Sequence, residues 1–393
     1  MAPLHSPSLT LRILLICCAL SVVSLLYVPL PLIPAIAKTY DIDMTLAAGV
    51  VSSFGFAYAA GFLIFGPLSD RVGRQNVIVP GLIILTLVTV ALMWVSSLPL
   101  LLAGRAIQGF SAATFTPTAI AYLSERGSAS QKRWSIAWMS TAFLSAGLLG
   151  QIYGETIVTR WGIAVAFIPL IAIYLLTAWR LGVTPPDERQ TAMVPMLQVY
   201  QPVGAILKNP QLRRVYFPAF ILLMCFVSFY MELDIHAKDQ LLAWNTTSLA
   251  VRIYALPAFL LTLVAAVLIP RMGARRVVTA GLILAASGVL LAVSGVESHL
   301  PVLLTGNIIF VSGISVTVPG LIARIADEAE SSIRGMAVAV YTFVLFLGAS
   351  LGPSLALLTS MLTTRESFYV QVVLMGTAAI YTLTGQVKGR NTL

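Results

Sequence analysis

The sequence predicts an all-α integral membrane protein, with twelve transmembrane helices arranged as two related six-helix bundles. Three observations predict it: scarce charge, long apolar runs, and a motif that recurs 200 residues after its first appearance. Of 393 residues, 58% are hydrophobic and 10% charged, and the mean hydropathy is +0.92. Soluble domains spend about a quarter of their residues on charge, so this chain lacks the polar surface of a water-soluble globule. The apolar runs reach the ~20 residues that cross a hydrocarbon core of ~30 Å. Lipid offers the backbone no hydrogen-bond partner, so such runs are helices. The alternating pattern of an outer-membrane barrel is absent.

The runs place helices at 12–35, 47–68, 77–96, 99–123, 134–158, 162–181, 215–235, 248–270, 277–296, 301–324, 335–361 and 367–387. The first is too long and too rich in proline for a cleaved signal, and no small-residue cleavage pattern follows it. Its far end, Tyr27-Val28-Pro29-Leu30-Pro31-Leu32-Ile33-Pro34, loses backbone donors at each proline and is free to bend. Helix 2 leads into Asp70-Arg71-Val72-Gly73-Arg74, where Gly73 permits a tight turn and Arg71 and Arg74 hold the loop at the inner face. Helix 4 carries Arg105 about six residues in from its outer boundary, ~9 Å deep at 1.5 Å per residue. A charge at that depth costs several kcal/mol unless paired or wetted, which makes it a functional candidate. Helix 5 carries Glu155 in its outer third. Helix 7 ends on Glu232, Asp234 and His236, and helix 8 holds Arg252 one turn inside its outer end.

With both termini cytoplasmic, 18 of the 24 Lys and Arg residues lie on inner segments. Lys38, Arg105, Arg160, Lys238, Arg252 and Arg365 remain on or near the outer side. The asymmetry selects this topology and explains the net charge of +9 without nucleic acid. Cys17, Cys18 and Cys225 fall in apolar runs without metal-ligand spacing and read as packing residues. The histidines join no catalytic constellation. Compact loops fit a bacterial source and hence an inner membrane, where the sequon Asn245-Thr246-Thr247 is immaterial.

The internal repeat is read at two places. Asp70 to Val77, with Gly81 beyond, is echoed by Pro270 to Val277, with Gly281 beyond. Gly104, Arg105, Pro117 and Glu125 match Gly306, Asn307, Pro319 and Asp327 at an offset of 202. Two stretches agreeing on nearly one offset divide the chain into bundles 1–184 and 213–393, joined by a cytoplasmic linker, 185–212. Parallel repeats of this kind suit transporters that rock one bundle against the other around a midplane site.

Gly66-Pro67-Leu68-Ser69-Asp70-Arg71-Val72-Gly73-Arg74-Gln75 resembles the signature loop between helices 2 and 3 of the major facilitator superfamily. The resemblance implies that Asp70 caps the start of helix 11, near Ile333-Arg334-Gly335, where the helix dipole favours an anion. That contact would lock the inner gate in the outward-facing state, with Arg71, Gly73, Arg74 and Arg334 as parts of the switch. Leu101-Leu102-Ala103-Gly104-Arg105-Ala106-Ile107-Gln108-Gly109 resembles the helix-4 motif of proton antiporters in this superfamily, and the prolines of helix 1 resemble those of its drug and metabolite efflux members. Helix 5 departs from the antiporter pattern. Gly147-Leu148-Leu149-Gly150-Gln151-Ile152-Tyr153-Gly154-Glu155 has Gln151 where the family has proline and Glu155 where it has glycine.

In the family, helix 5 packs against helix 8. Glu155 and Arg252 are therefore expected to form an ion pair at the outer gate, with Arg105 competing for the same carboxylate; Glu232 and Asp234 are the other proton-coupling candidates. Helices that usually face the family's central cavity offer Tyr27, Phe54, Tyr58, Gln108, Gln151, Tyr230, Asn307 and Tyr341 as lining. The expected function is export of small molecules in exchange for protons, by a monomer without cofactor, driven by the proton gradient. Export of a dedicated metabolite or siderophore, and facilitated or proton-symport uptake, are the alternatives. No nucleophile, metal-ligand cluster or phosphate-binding loop argues for an enzyme or for use of ATP.

Overall fold

A computed structural model describes residues 7–185, 200–330 and 333–384, which form helices and turns with no strand among them. The first six helices are α1 (Leu9–Tyr40), α2 (Met44–Val72), α3 (Arg74–Trp94), α4 (Leu98–Ala112, resumed at Thr116–Glu125), α5 (Ala129–Tyr153) and α6 (Thr159–Gly182). A wide π-helical turn, Gly154–Val158, joins α5 to α6. The last six are α7 (Pro210–His236), α8 (Ser248–Ala255 and Leu261–Met272, joined by a 3-10 stretch), α9 (Ala274–Val296), α10 (Leu300–Glu328), α11 (Arg334–Thr359) and α12 (Thr364–Leu383).

Helical segments thus occupy all twelve predicted positions. Among the described residues, nine continuous runs are long and apolar enough to cross a membrane by length and composition. One of these, Trp134–Gly182, holds two predicted helices and turns at Gly162, whose φ of 82° favours glycine. Several helices begin ahead of their apolar windows because capping, not hydropathy, starts a helix. Asp43 accepts from the Leu46 amide at 2.8 Å, and Ser128 with Gln131 and Thr363 with Glu366 form reciprocal capping boxes. The prolines of α1 produce the expected irregularity, a 3-10 stretch over Leu30–Leu32.

The repeat reappears in the backbone. Gly73 ends α2 at φ 95°, ψ 144°, and Gly273 ends α8 at φ 83°, ψ 144°. Arg105 donates to the Val50 carbonyl (3.1 Å), and its counterpart Asn307 donates to the Val251 carbonyl (2.8 Å). The predicted linker lies largely outside the described residues; its end forms the short helix Val203–Lys208.

α7 lies deepest, and α2 packs along α11, with Tyr58 and Phe62 against Phe346 and the Ser52 hydroxyl on the Ser350 carbonyl (2.8 Å). α3, α6, α9 and α12 turn Leu87, Trp179, Ile283 and Val373 outward, more than half exposed. Such an apolar exterior is the expected surface of a protein solvated by lipid.

Candidate functional site

The site is built around Arg252, near the start of α8 and 1% exposed. Its guanidinium spends all three nitrogens on side chains of other helices. Nε donates to Gln151 Oε1 (3.1 Å), Nη1 to Glu155 Oε2 (3.1 Å) and Nη2 to Asp234 Oδ2 (2.5 Å). Arg252 thereby ties α8 to α5 and α7. Such charge-assisted bonds are stronger than neutral ones, and here a buried cation meets two carboxylates that are 30% and 32% exposed.

Local sequence explains how α5 reaches this position. A Cβ on Gly154 would come within 2.2 Å of the Val28 carbonyl oxygen, and one on Gly150 within 2.8 Å of that of Ser24. Glycine at both places lets α5 press against α1. The π-helical turn then carries Glu155 toward Arg252. Gln151 is oriented by its own amide, which donates to the Gly147 carbonyl (2.7 Å) and leaves the oxygen for Arg252.

Toward the end of the helices that bears the basic loops lies a cavity of about 110 Å³. Tyr27, Phe143, Phe226, Phe259, Tyr341 and Phe346 form much of its wall, with Thr116 and Ser140 adding hydroxyls. Phe226 bridges the two features, edge-on to Tyr27 and to Tyr230 with centroids 6.3 and 5.5 Å apart. None of the described lining residues is Asp, Glu, Lys, Arg or His. The Tyr341 hydroxyl is buried and, among the described residues, has no hydrogen-bond partner. The cavity is therefore apolar, with the buried and unengaged Tyr341 hydroxyl in its wall.

The structure brings Glu155, Asp234, Gln151 and Arg252 together and leaves Arg105 elsewhere. Arg105 does not compete for Glu155. It sits 4.3 Å over the Phe54 ring and donates to the Val50 and Leu25 carbonyls and to Gln108 Oε1. A guanidinium in a dry interior takes the nearest acceptors, and for Arg105 these are main-chain oxygens of α1 and α2. Glu232 is fully buried, away from Arg252's bonds. One of its oxygens accepts from Ser228 (3.1 Å) and Thr359 (2.9 Å), and the other has no partner among the described residues. At the basic end, Asp70 pairs with Arg74, which also reaches Glu125 (3.0 Å) and Ser69 (2.6 Å). Arg334 donates to the Ala329 carbonyl (3.4 Å), and among the described residues no ion pair joins it to Asp70. Arg71 lies in the last turn of α2, before Gly73.

Of the residues expected to line the cavity, Tyr27 and Tyr341 do so. Phe54, Tyr58, Gln108, Gln151, Tyr230 and Asn307 do not. Tyr58 bonds Thr116 (2.5 Å), Gln108 bonds Thr89 (2.8 Å) as well as Arg105, and Tyr230 bonds Asn307 (2.8 Å). The physical reason is shared: polar groups buried in a membrane bundle satisfy one another. Sequence reasoning missed Phe143, Phe226, Phe259 and Phe346, because a phenylalanine in an apolar helix carries no mark of facing a cavity.

A family model described as Major Facilitator Superfamily matches residues 15–248 and 230–390. Multidrug resistance protein D of Escherichia coli (strain K12) is 25% identical over 170 residues, 42% of this chain and 43% of that protein. A bicyclomycin resistance protein homolog of Haemophilus influenzae is 27% identical over 169 residues, 42% of each. The chain thus spans less than half the length of these relatives. Among solved structures, the nucleoside transporter NupG superposes with a TM-score of 0.72 at 13% identity, covering 95% of this chain and 99% of that one. A human organic anion transporter (TETRAN) gives 0.72 at 17%, covering 95% and 98%. At these identities the likeness is one of fold.

Proposed function

This chain belongs to the major facilitator superfamily and is a multi-pass membrane transporter, not an enzyme; we propose that it exports lipophilic small molecules across a bacterial inner membrane in exchange for protons. The observation that carries the reading is an apolar cavity toward the end with the basic loops, together with an Arg252 cluster that ties α5, α7 and α8 at the opposite end. Resemblance to multidrug resistance proteins supports export. The wall chemistry favours lipophilic cargo: a carboxylate-rich chelator would seek cations there, and a nucleoside would seek several hydrogen-bond partners. Arg105 and Arg252 lie outside the described lining, so they lend no support to an anionic substrate.

In this reading the protein faces inward. The cluster seals the outer end, and Asp70 rests on its own loop instead of capping α11. Protonating Glu155 or Asp234 from outside removes one of the two anions on Arg252 and loosens α8 from its neighbours. The outer end then opens and cargo leaves; on return to the inward-facing state Arg252 re-forms its bonds to the carboxylates and the proton is released toward the cytoplasm. We assign the exchanged proton first to Glu155, because its bond to Arg252 joins α8 to the opposite bundle, a contact that opening must break, while Asp234 holds the same cation from α7 within Arg252's own bundle. Glu232 instead ties α7 to α11, which stay packed together, and is the second candidate. The bundles are 1–184 and 213–393, both termini are cytoplasmic, and the monomer works without cofactor on the proton gradient.

The test is accumulation in inside-out vesicles under an imposed proton gradient. Lipophilic drugs are expected to accumulate, and carboxylate-rich chelators and nucleosides are not. Accumulation of nucleosides alone would overturn the assignment.

A further inference from the structure

A second cavity, of about 360 Å³, lies within the first six helices at the end away from the basic loops. It shares no lining residue with the central cavity. Leu32, Ile36, Val95, Ile163 and Phe167 form an apolar wall, and Arg105 is the one charged residue among its described lining. Ala35, Thr39 and Thr159, also in that lining, are exposed, so the space communicates with the exterior.

Arg105 is 3% exposed and, among the described residues, forms no ion pair. Its three hydrogen bonds go to two carbonyls and an amide oxygen, all neutral. A guanidinium has five N–H donors, so one remains on each terminal nitrogen. A buried cation with only neutral acceptors is favoured by any anion that reaches it. The volume falls within the ~300–1,000 Å³ of small-molecule sites. Positive charge on an otherwise apolar wall selects an amphipathic anion.

We propose that this pocket binds a single-chain lipophilic carboxylate, with the carboxylate on Arg105 and the chain along Ile36, Ile163 and Phe167. The site is separate from the export path, and its test does not depend on transport.

The experiment measures binding of fluorescent dodecanoate, and of the matching dodecanol, to the purified full chain in phosphatidylcholine nanodiscs. The acid is expected to bind and the alcohol to bind at least tenfold more weakly. Arg105→Gln is expected to reduce acid binding at least tenfold. Ile163→Trp, which fills the pocket and keeps Arg105, is expected to do the same in protein with an unchanged gel-filtration profile. Phe226→Ala, in the central cavity, is expected to leave acid binding unchanged. Equal binding of acid and alcohol, or native binding by Ile163→Trp, would overturn the proposal, as would loss with Phe226→Ala alone. Displacement by oleate supplied in the bilayer supports the site and makes the leaflet its source. Displacement by octanoate from solution supports it with an aqueous source.

Discussion

Arg252 and Glu155 lie 97 residues apart in the chain and 3.1 Å apart in space, joining α8 to the π-helical turn that follows α5 at the end of the molecule remote from the basic loops. Asp234 and Gln151 complete the cluster, so a single cation organises three helices. The predictions follow from what each member holds.

Arg252→Ala leaves Glu155 and Asp234 facing each other without a cation. Breaking a fully buried pair costs about 3–5 kcal/mol. Both carboxylates here are partly solvated, which lowers the figure to ~1–2 kcal/mol, roughly a five- to thirty-fold gain for the open form. In a background lacking Cys17, Cys18 and Cys225, a cysteine placed at Val28 should react correspondingly faster with a membrane-impermeant thiol reagent added outside. An unchanged rate would mean that the cluster does not hold this end shut.

Gly154→Ala forces a methyl group against the Val28 carbonyl, a backbone atom with little freedom to yield. Overpacking of this kind costs ~1–3 kcal/mol. Thermal unfolding in detergent should occur at a lower temperature for this variant. Gly66→Ala, where a Cβ meets nothing within 4 Å, should be neutral or mildly stabilising.

Tyr341→Phe removes the unengaged hydroxyl from the cavity wall and keeps the ring. A net hydrogen bond is worth ~0.5–1.5 kcal/mol, about two- to twelve-fold in affinity. KM should rise by that factor for cargo carrying an acceptor and stay constant for cargo without one. Equal effects on both classes would remove the hydroxyl from substrate recognition.

Glu232→Gln keeps an acceptor for Ser228 and Thr359 and abolishes ionisation. With the exchanged proton assigned to the Arg252 cluster, this variant should still move protons on adding substrate. Loss of proton movement with substrate binding intact would transfer the coupling role to Glu232.

Much of the fold was legible because apolar length, basic loops and the Gly73/Gly273 repeat are properties of local sequence. The Glu155–Arg252 pair was legible for a different reason: two charges at one depth on helices expected to pack have few alternatives. Asp234 was on the same list of carboxylates, but nothing in sequence distinguished it from Glu232, two residues away and turned to other partners. Arg105's surroundings were not legible, because two of its three hydrogen bonds go to backbone carbonyls, which every residue has. The cavity wall was the least legible part. Tyrosines, glutamines and asparagine drew attention as polar residues, yet most satisfy one another, and the phenylalanines that line the space look like any other residue of an apolar helix.

The central claim is proton exchange through the Arg252 cluster. Purified protein in liposomes, loaded with a pH-sensitive dye under an imposed proton gradient, tests it most directly when native protein and Glu155→Gln are compared. Adding a lipophilic substrate to the native protein should trigger proton movement. Glu155→Gln should carry labelled substrate downhill while its substrate-triggered proton movement falls by at least about tenfold, the equivalent of 1.4 kcal/mol. Full proton movement in that variant, or substrate crossing in the native protein with no proton movement, would contradict the account.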